Sequence, residues 1–155
     1  TVVVDREGNL FVGADRTPAS GPLSQVHTGT FAAASRAERD RETAAKHLPS
    51  NTKWIDEKGS QGFLYTIRTE LGDPFTLFLY HDGTGYQCMV VEPDLVGQHD
   101  PHKIHLFNNG MICWGEPMGL GLPNLEMAFA KSVLWANGVS VFLKAKHFPF
   151  SVNNR

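Results

Sequence analysis

Residues 63–92, FLYTIRTELGDPFTLFLYHDGTGYQCMVVE, consist of three strand-like runs that are separated by two turns. Each run is rich in aromatic and β-branched residues, and the runs are Phe63–Glu70, Phe75–His81 and Tyr86–Glu92. The connectors contain the Gly, Asp and Pro residues that are typical of hairpin turns, at 72–74 and at 82–85. This stretch therefore predicts an antiparallel meander.

Two helical patterns flank the meander. Residues 30–48 are rich in Ala, Arg and Glu, which predicts a solvated helix of about four turns. From Asn124 to Phe148, apolar or small residues recur at i, i+3 and i+4, which predicts a long helix that packs on the sheet. Pro123 and Asn124 precede it, Lys144 and Lys146 near its end suit the helix dipole, and Pro149 stops it.

The segment before the first helix predicts a small accessory element. Val2–Val4 and Leu10–Val12 are separated by a Gly-containing turn, as in a short hairpin. Residues 1–29 would form this hairpin and a linker, since they are too few to hold a core of their own. With 41% hydrophobic residues, the 155-residue chain is expected to form one α+β domain over residues 1–155.

Composition excludes several classes of function. A formal net charge of −2 provides no general attraction to nucleic acid. No apolar run approaches the roughly 20 residues that span a bilayer, and residues 1–15 lack the pattern of a signal peptide. Two cysteines are too few for a disulfide framework. We therefore expect a soluble, cytoplasmic protein that binds neither membranes nor nucleic acid.

Cys113 is the candidate catalytic nucleophile. It follows a glycine turn at Gly110, which would leave the thiol at the edge of a packed core where it can act as a nucleophile. Cys88 lies inside a strand-like run, where a free cysteine normally fills space. Trp114 and Trp135 are expected to pack in the core, as large aromatic residues usually do.

The order of these elements, together with the motif Asn109-Gly110-Met111-Ile112-Cys113, resembles the ubiquitin-conjugating enzyme family. The resemblance covers residues 31–150 and implies an α+β ubiquitin-conjugating-enzyme-like fold. In such a fold an N-terminal and a long C-terminal helix pack on the meander, and the hairpin at the N-terminus is an addition. The chain looks most like divergent bacterial members that serve ubiquitin-like conjugation operons, some of them linked to antiphage defence.

The resemblance also implies a function and its residues. Cys113 would accept a ubiquitin-like protein as a thioester from an activating enzyme and pass it to an amine on a target protein. His105 stands eight residues before Cys113, where the family has an oxyanion-stabilising Asn, and it would donate a hydrogen bond from that place. Arg36, Arg39 and Arg41 of the first helix would bind the activating enzyme. No metal and no organic cofactor is implied.

Three other interpretations remain open at the level of sequence. The first is an inactive member of the same fold that acts as a protein-binding module. The second is a cysteine hydrolase, in which His102 or His105 serves as the base. The third is a zinc site, because His99 joins those two histidines and Cys113 in one stretch, although the spacing differs from usual zinc motifs. Nearby carboxylates that could attract an incoming lysine are Glu92, Asp94 and Asp100.

Overall fold

A computed structural model describes residues 36–149 in full, together with the backbone of residues 32–35 and of three short strands near the N-terminus. The chain divides into two compact units, residues 1–42 and residues 43–155. Each unit has its own antiparallel sheet.

The first unit contains a three-stranded sheet. The expected hairpin is confirmed, because β1 (Val2–Val4) pairs antiparallel with β2 (Leu10–Val12). A third strand, β3 (Ser24–Val26), pairs with the other side of β1 and was not predicted. Two of its three residues, Ser24 and Gln25, are polar, so it lacks the apolar run that revealed β1 and β2. The expected turn between β1 and β2 and the linker residues 17–22 lie outside the described residues.

The second unit contains the predicted meander, which has four strands instead of three. The strands are β4 (Lys53–Glu57), β5 (Ser60–Arg68), β6 (Pro74–His81) and β7 (Tyr86–Glu92), and they pair antiparallel in that order. Strand β4 escaped prediction because it lies at the edge of the sheet, where charged residues dilute its apolar pattern. Its Trp54 packs on Phe63 of β5, with ring centroids 4.9 Å apart.

Helix α3 (Leu125–Ala145) contacts β6 and β7 and forms the core with the sheet. Asn124 caps it, since its side chain accepts a hydrogen bond from the Met127 N–H. The helix ends three residues before the predicted Phe148, because Lys146 adopts a left-handed conformation. Trp135 is buried, and its indole N–H donates to the carbonyl oxygen of Ile104 at 2.8 Å.

Helix α1 (Ala32–His47) agrees with the predicted segment to within two residues at each end. Its last part contributes Ala44 to the core, followed by Leu48. A short helix, α2 (Pro101–Ile104), lies between β7 and the cysteine segment. The expected α+β class, with an antiparallel sheet and a long C-terminal helix, is confirmed. None of the helices in the described part of the chain has the length and apolar character needed to cross a bilayer.

Candidate functional site

Cys113 lies at the end of a tight hairpin that is attached to the edge of the main sheet. Leu106 and Ile112 face each other across this hairpin, and Met111 faces Met89 of β7. Backbone hydrogen bonds fix the segment on both sides, because Ile112 N–H donates to Cys88 O and Cys113 N–H donates to His105 O, each at 2.9 Å. The backbone at Cys113 is thus held by hydrogen bonds to the sheet and across the hairpin.

Gly110 provides the turn of this hairpin. Its φ of 87° lies in the left-handed region, which glycine adopts without strain. Its N–H donates to the Phe107 carbonyl at 3.0 Å, and Phe107 N–H donates to the Met111 carbonyl at 2.8 Å. Asn109 completes the turn, since its side-chain oxygen accepts from the Met111 N–H at 3.0 Å. The motif read from the sequence therefore serves to reverse the chain just before Cys113.

The two cysteines differ sharply in their surroundings. Cys113 is partly exposed, whereas Cys88 is 0% exposed and points into the core beneath α3. Burial raises the pKa of the Cys88 thiol to about 12, although a contact with the Tyr65 hydroxyl opposes the rise. Trp114 is buried as expected, with its indole N–H bonded to the Tyr86 carbonyl at 3.0 Å. Of these two thiols, only that of Cys113 is open to a reagent.

His105 lies directly opposite Cys113 in the hairpin register. It caps α2 in a left-handed conformation with a φ of 53°. Its ring meets that of Phe148 edge to face, with centroids 4.9 Å apart. Burial lowers the pKa of His105, which favours the neutral imidazole with a single N–H. The residue is therefore packed more firmly than an exposed loop histidine.

The other histidines of this stretch have different surroundings. The His99 ring packs edge to face on Phe142, with centroids 5.6 Å apart, and His102 is exposed. Within residues 36–149 no three His, Cys, Asp or Glu side chains come close enough to hold a metal ion. Asp94 and Asp100 use side-chain oxygens to accept backbone hydrogen bonds from Val96 and His102. These two carboxylates thus stabilise local turns.

The three arginines proposed for partner binding lie on α1. Arg39 and Arg41 are exposed, whereas the Arg36 side chain is 30% exposed and its Nε lies 3.9 Å from the Asp40 carboxylate. Charges in an i, i+4 arrangement of this kind support the helix itself. Arg36 is thus the least exposed of the three arginines.

A cavity of about 400 Å³ opens on the outer face of the main sheet, the face not covered by α3. Met111 lines it, and Cys113 follows two residues later along the chain. Asp82 and Gln87 also line it, and neither was singled out from the sequence. Both were interpreted only as turn and strand residues, because their contribution depends on pairing between distant segments.

Comparisons with known proteins identify no relative. No family model, no curated protein and no solved structure matches this chain. The functional argument therefore rests on the residues and their geometry.

Proposed function

We propose that this protein is a ubiquitin-conjugating-like enzyme that carries a ubiquitin-like protein as a thioester on Cys113 and transfers it to an amine. The observation that carries the proposal is the contrast between the two thiols, of which Cys113 is partly exposed on a hydrogen-bonded hairpin and Cys88 is enclosed. The order of α1, meander, α2, cysteine hairpin and α3 supports it as well.

The reaction has two balanced steps. In loading, the Cys113 thiolate attacks the acyl carbon of an incoming thioester, a new C–S bond forms, and the donor thiolate leaves and takes up a proton. In transfer, a neutral amine attacks the same carbon, a C–N bond forms, and the C–S bond to Cys113 breaks. The amine loses one proton to solvent, and the Cys113 thiolate is regenerated. Neither step changes an oxidation state.

His105 is proposed to stabilise the oxyanion that forms in both steps. The residue lies opposite Cys113, and its lowered pKa keeps the ring neutral, so that one ring N–H can donate. The Phe148 contact would hold the ring in place. His105→Ala is expected to slow transfer by about 100-fold, the usual effect of one oxyanion donor. His105→Asn should restore much of the rate, since Asn tolerates the left-handed backbone and offers an amide N–H.

The proposal can be tested without knowing the natural partner. The probe is a short peptide that ends in a glycine thioester of 2-mercaptoethanesulfonate. Wild type and Cys88→Ala should form a thioester that an added thiol removes by exchange, which transfers the acyl group to the added thiol and frees Cys113. Cys113→Ser should form an ester that resists the added thiol, and Cys113→Ala should form neither. Transfer from Cys113 to a lysine analogue should be about 100-fold faster than from the glutathione thioester of the same peptide, because glutathione has no oxyanion donor.

Two outcomes contradict the proposal. One is an adduct on Cys113→Ala that an added thiol removes. The other is a rate of transfer from Cys113 to the amine that is no faster than the rate from the glutathione thioester of the same peptide. Cys113 would then be an ordinary exposed thiol, and a protein-binding module would be the better interpretation.

The activating enzyme is proposed to dock on α1 through Arg39 and Arg41. Exposed charges act mainly on the encounter rate and are screened within about 8–10 Å at physiological salt. The double variant Arg39→Glu/Arg41→Glu should therefore load slowly from an activating enzyme at low salt, with a smaller defect at high salt. Its loading from the peptide thioester serves as the control and should equal wild type. Equal loading from the enzyme at low salt would place the docking surface elsewhere.

A further inference from the structure

Two segments of the chain contain basic residues and no acidic ones. The sequence has 16 Asp and Glu residues, and none of them falls in residues 101–115 or in residues 127–155. These two segments contain four lysines, three histidines and Arg155. Because the whole chain has a formal net charge of −2, its positive charge is concentrated in these segments.

The fold brings the two segments together beside Cys113. The Trp135 indole N–H of α3 donates to the Ile104 carbonyl at the end of α2, at 2.8 Å. One residue later, the His105 ring meets the Phe148 ring edge to face, with centroids 4.9 Å apart. The Cys113 N–H donates to the His105 carbonyl at 2.9 Å. The candidate nucleophile therefore lies next to the point where α2 and the end of α3 meet.

Four basic or titratable side chains at this point are exposed. They are His102 and Lys103 on α2, and Lys146 and His147 directly after α3. We call these four residues the basic rim. Within residues 36–149 no ion pair involves Lys103 or Lys146, and Lys146 Nζ makes one long hydrogen bond, of 3.5 Å, to the Leu143 carbonyl. The charges of the two lysines are thus open to a partner.

The helix dipole accounts for only part of this pattern. Cations are favourable near a helix C-terminus, which suits Lys144 and Lys146 at the end of α3. The effect is confined to the last turn of a helix, so it does not explain why residues 127–140 also contain no acid. The stability of the helices therefore does not require so uniform a charge.

The acidic residues that border the two segments do not neutralise the rim. The Asp100 carboxylate accepts from the His102 N–H at 2.9 Å, at the end of α2 opposite to His105. Glu116 is half-buried, and Glu126 lies in the first turn of α3, about 20 residues before Lys146. The exposed lysines of the rim therefore determine the sign of its charge.

This charge selects the kind of partner. Carboxylates are attracted to the rim, and a basic chain is repelled. Nucleic acid binds mainly through many phosphate contacts, for which two lysines are few. Arginine, with its bidentate fork, is the residue best suited to phosphate, and the rim contains none. A short peptide segment with two acidic side chains matches the two lysines.

We propose that the basic rim binds acidic residues in the tail of the protein that is loaded on Cys113, a few residues before its reacting carboxyl group. His105 is paired with Cys113, and Lys103 is two residues from His105, so the Cα atoms of Lys103 and Cys113 lie at most about 13 Å apart. An extended tail covers that distance in about four residues. The loading role rests on the proposed function, whereas the preference for an acidic peptide does not.

The first experiment compares the loading of three peptides that differ only in charge. Each ends in a glycine thioester of 2-mercaptoethanesulfonate and carries Glu, Gln or Lys at the fourth and fifth positions before the reacting carboxyl. At low salt, the Glu peptide should load Cys113 about fivefold faster than the Gln peptide, the effect of two exposed ion pairs, and the Lys peptide should load most slowly. The differences should shrink as salt rises. Equal loading rates at low salt would overturn the proposal.

Charge reversal locates the site. In Lys103→Glu/Lys146→Glu the order of the three peptides should be reversed, because the rim then attracts the Lys peptide. An acidic residue at the end of a helix is unfavourable, so thermal unfolding checks the fold, and Lys103→Glu alone, on α2, should still reduce the preference about twofold.

A matched control makes the same change of charge elsewhere. Lys53 on β4 and Lys58 in the turn after it are exposed, at the edge of the sheet opposite to β7. Lys53→Glu/Lys58→Glu should therefore keep the wild-type order of the three peptides. An equal effect of the control and of the rim variant would refute a local site.

A titration without any reaction separates this proposal from the function on which it builds. The same peptides are prepared as C-terminal amides and added to the unmodified full-length protein, with the histidine ring protons observed by NMR. The Glu peptide should shift the signals of His102 and His147 and bind about fivefold more tightly than the Gln peptide. Equal binding of the Glu and Gln peptides, or equally tight binding of an oligothymidylate with the charge of the Glu peptide, would overturn the choice of an acidic peptide.

The two proposals thus fail in different ways. If no peptide forms a thioester, the transferase proposal fails, and the titration still decides whether the rim binds acidic peptides. If thioesters form at rates that do not depend on peptide charge, the rim proposal alone is refuted.

Discussion

Alkylation by iodoacetamide at about pH 8 is expected to modify Cys113 and to leave Cys88 untouched in the folded protein. The thiolate is the reactive form of a cysteine, so the rate depends on the thiol pKa and on access. Cys88 is 0% exposed, and burial raises the pKa of its thiol to about 12. Cys113 is partly exposed, at the end of the hairpin.

The size of the effect follows from the pKa of Cys88. At about pH 8, a thiol with an ordinary pKa of about 8.5 is roughly one quarter thiolate. With its pKa at about 12, Cys88 is thiolate in roughly one molecule in 10,000. The small thiolate fraction alone therefore slows the alkylation of Cys88 on the order of 10³-fold relative to an ordinary thiol. Its enclosure slows it further, because a reagent reaches it only when the core opens.

The assay follows intact mass over time and then maps the labelled peptide. Wild type and Cys88→Ala should each gain one alkyl group at the same rate, and Cys113→Ala should gain none over that time. In concentrated guanidinium chloride both cysteines of the wild type should react at similar rates, which controls for the reagent. Labelling of Cys88 in the folded protein within tenfold of the Cys113 rate would refute the assigned burial and the choice of nucleophile.

Three further predictions concern the fold around the site. Tyr65→Phe removes the hydroxyl that lies 2.6 Å from Ser132 Oγ in the core, and urea unfolding should show a loss of about 1 kcal/mol. Burial lowers the pKa of His105, so on acidification the unfolded chain takes up a proton at this residue before the folded chain does. The free energy of unfolding should therefore fall as the pH drops below about 6.5. In His105→Gln, the unfolding midpoint should depend less on pH in this range. Gly121→Ala would place a Cβ 2.6 Å from the Gly85 carbonyl carbon. Thermal unfolding should therefore show a loss of about 1–3 kcal/mol in the free energy of unfolding. An unchanged melting temperature would mean that the two backbones do not meet.

Three strands of the main sheet and both long helices were predictable because their signals are local. Turn residues at 72–74 and 82–85 reverse the chain wherever they occur between strand-like runs. Asn124 caps a helix through its own backbone neighbourhood, so the start of α3 was visible in the sequence. The Asn-Gly turn before Cys113 is equally local, and it marked the partly exposed cysteine.

The cavity was decided only by the tertiary structure. In the sequence, Asp82 is a turn residue and Gln87 is a polar residue within a strand, and neither property implies a binding site. The attachment of the 106–112 hairpin to β7 brings these residues beside Met111. The Gly119 carbonyl then fixes the Gln87 amide.

The sequence by itself determined three strands of the main sheet, both long helices and the identity of the candidate nucleophile, because each depends on residues within a few positions of one another. The tertiary structure decided which polar groups line the cavity. Their burial and their hydrogen bonds arise from strand pairing between segments that are distant along the chain, and the local sequence pattern does not predict that pairing.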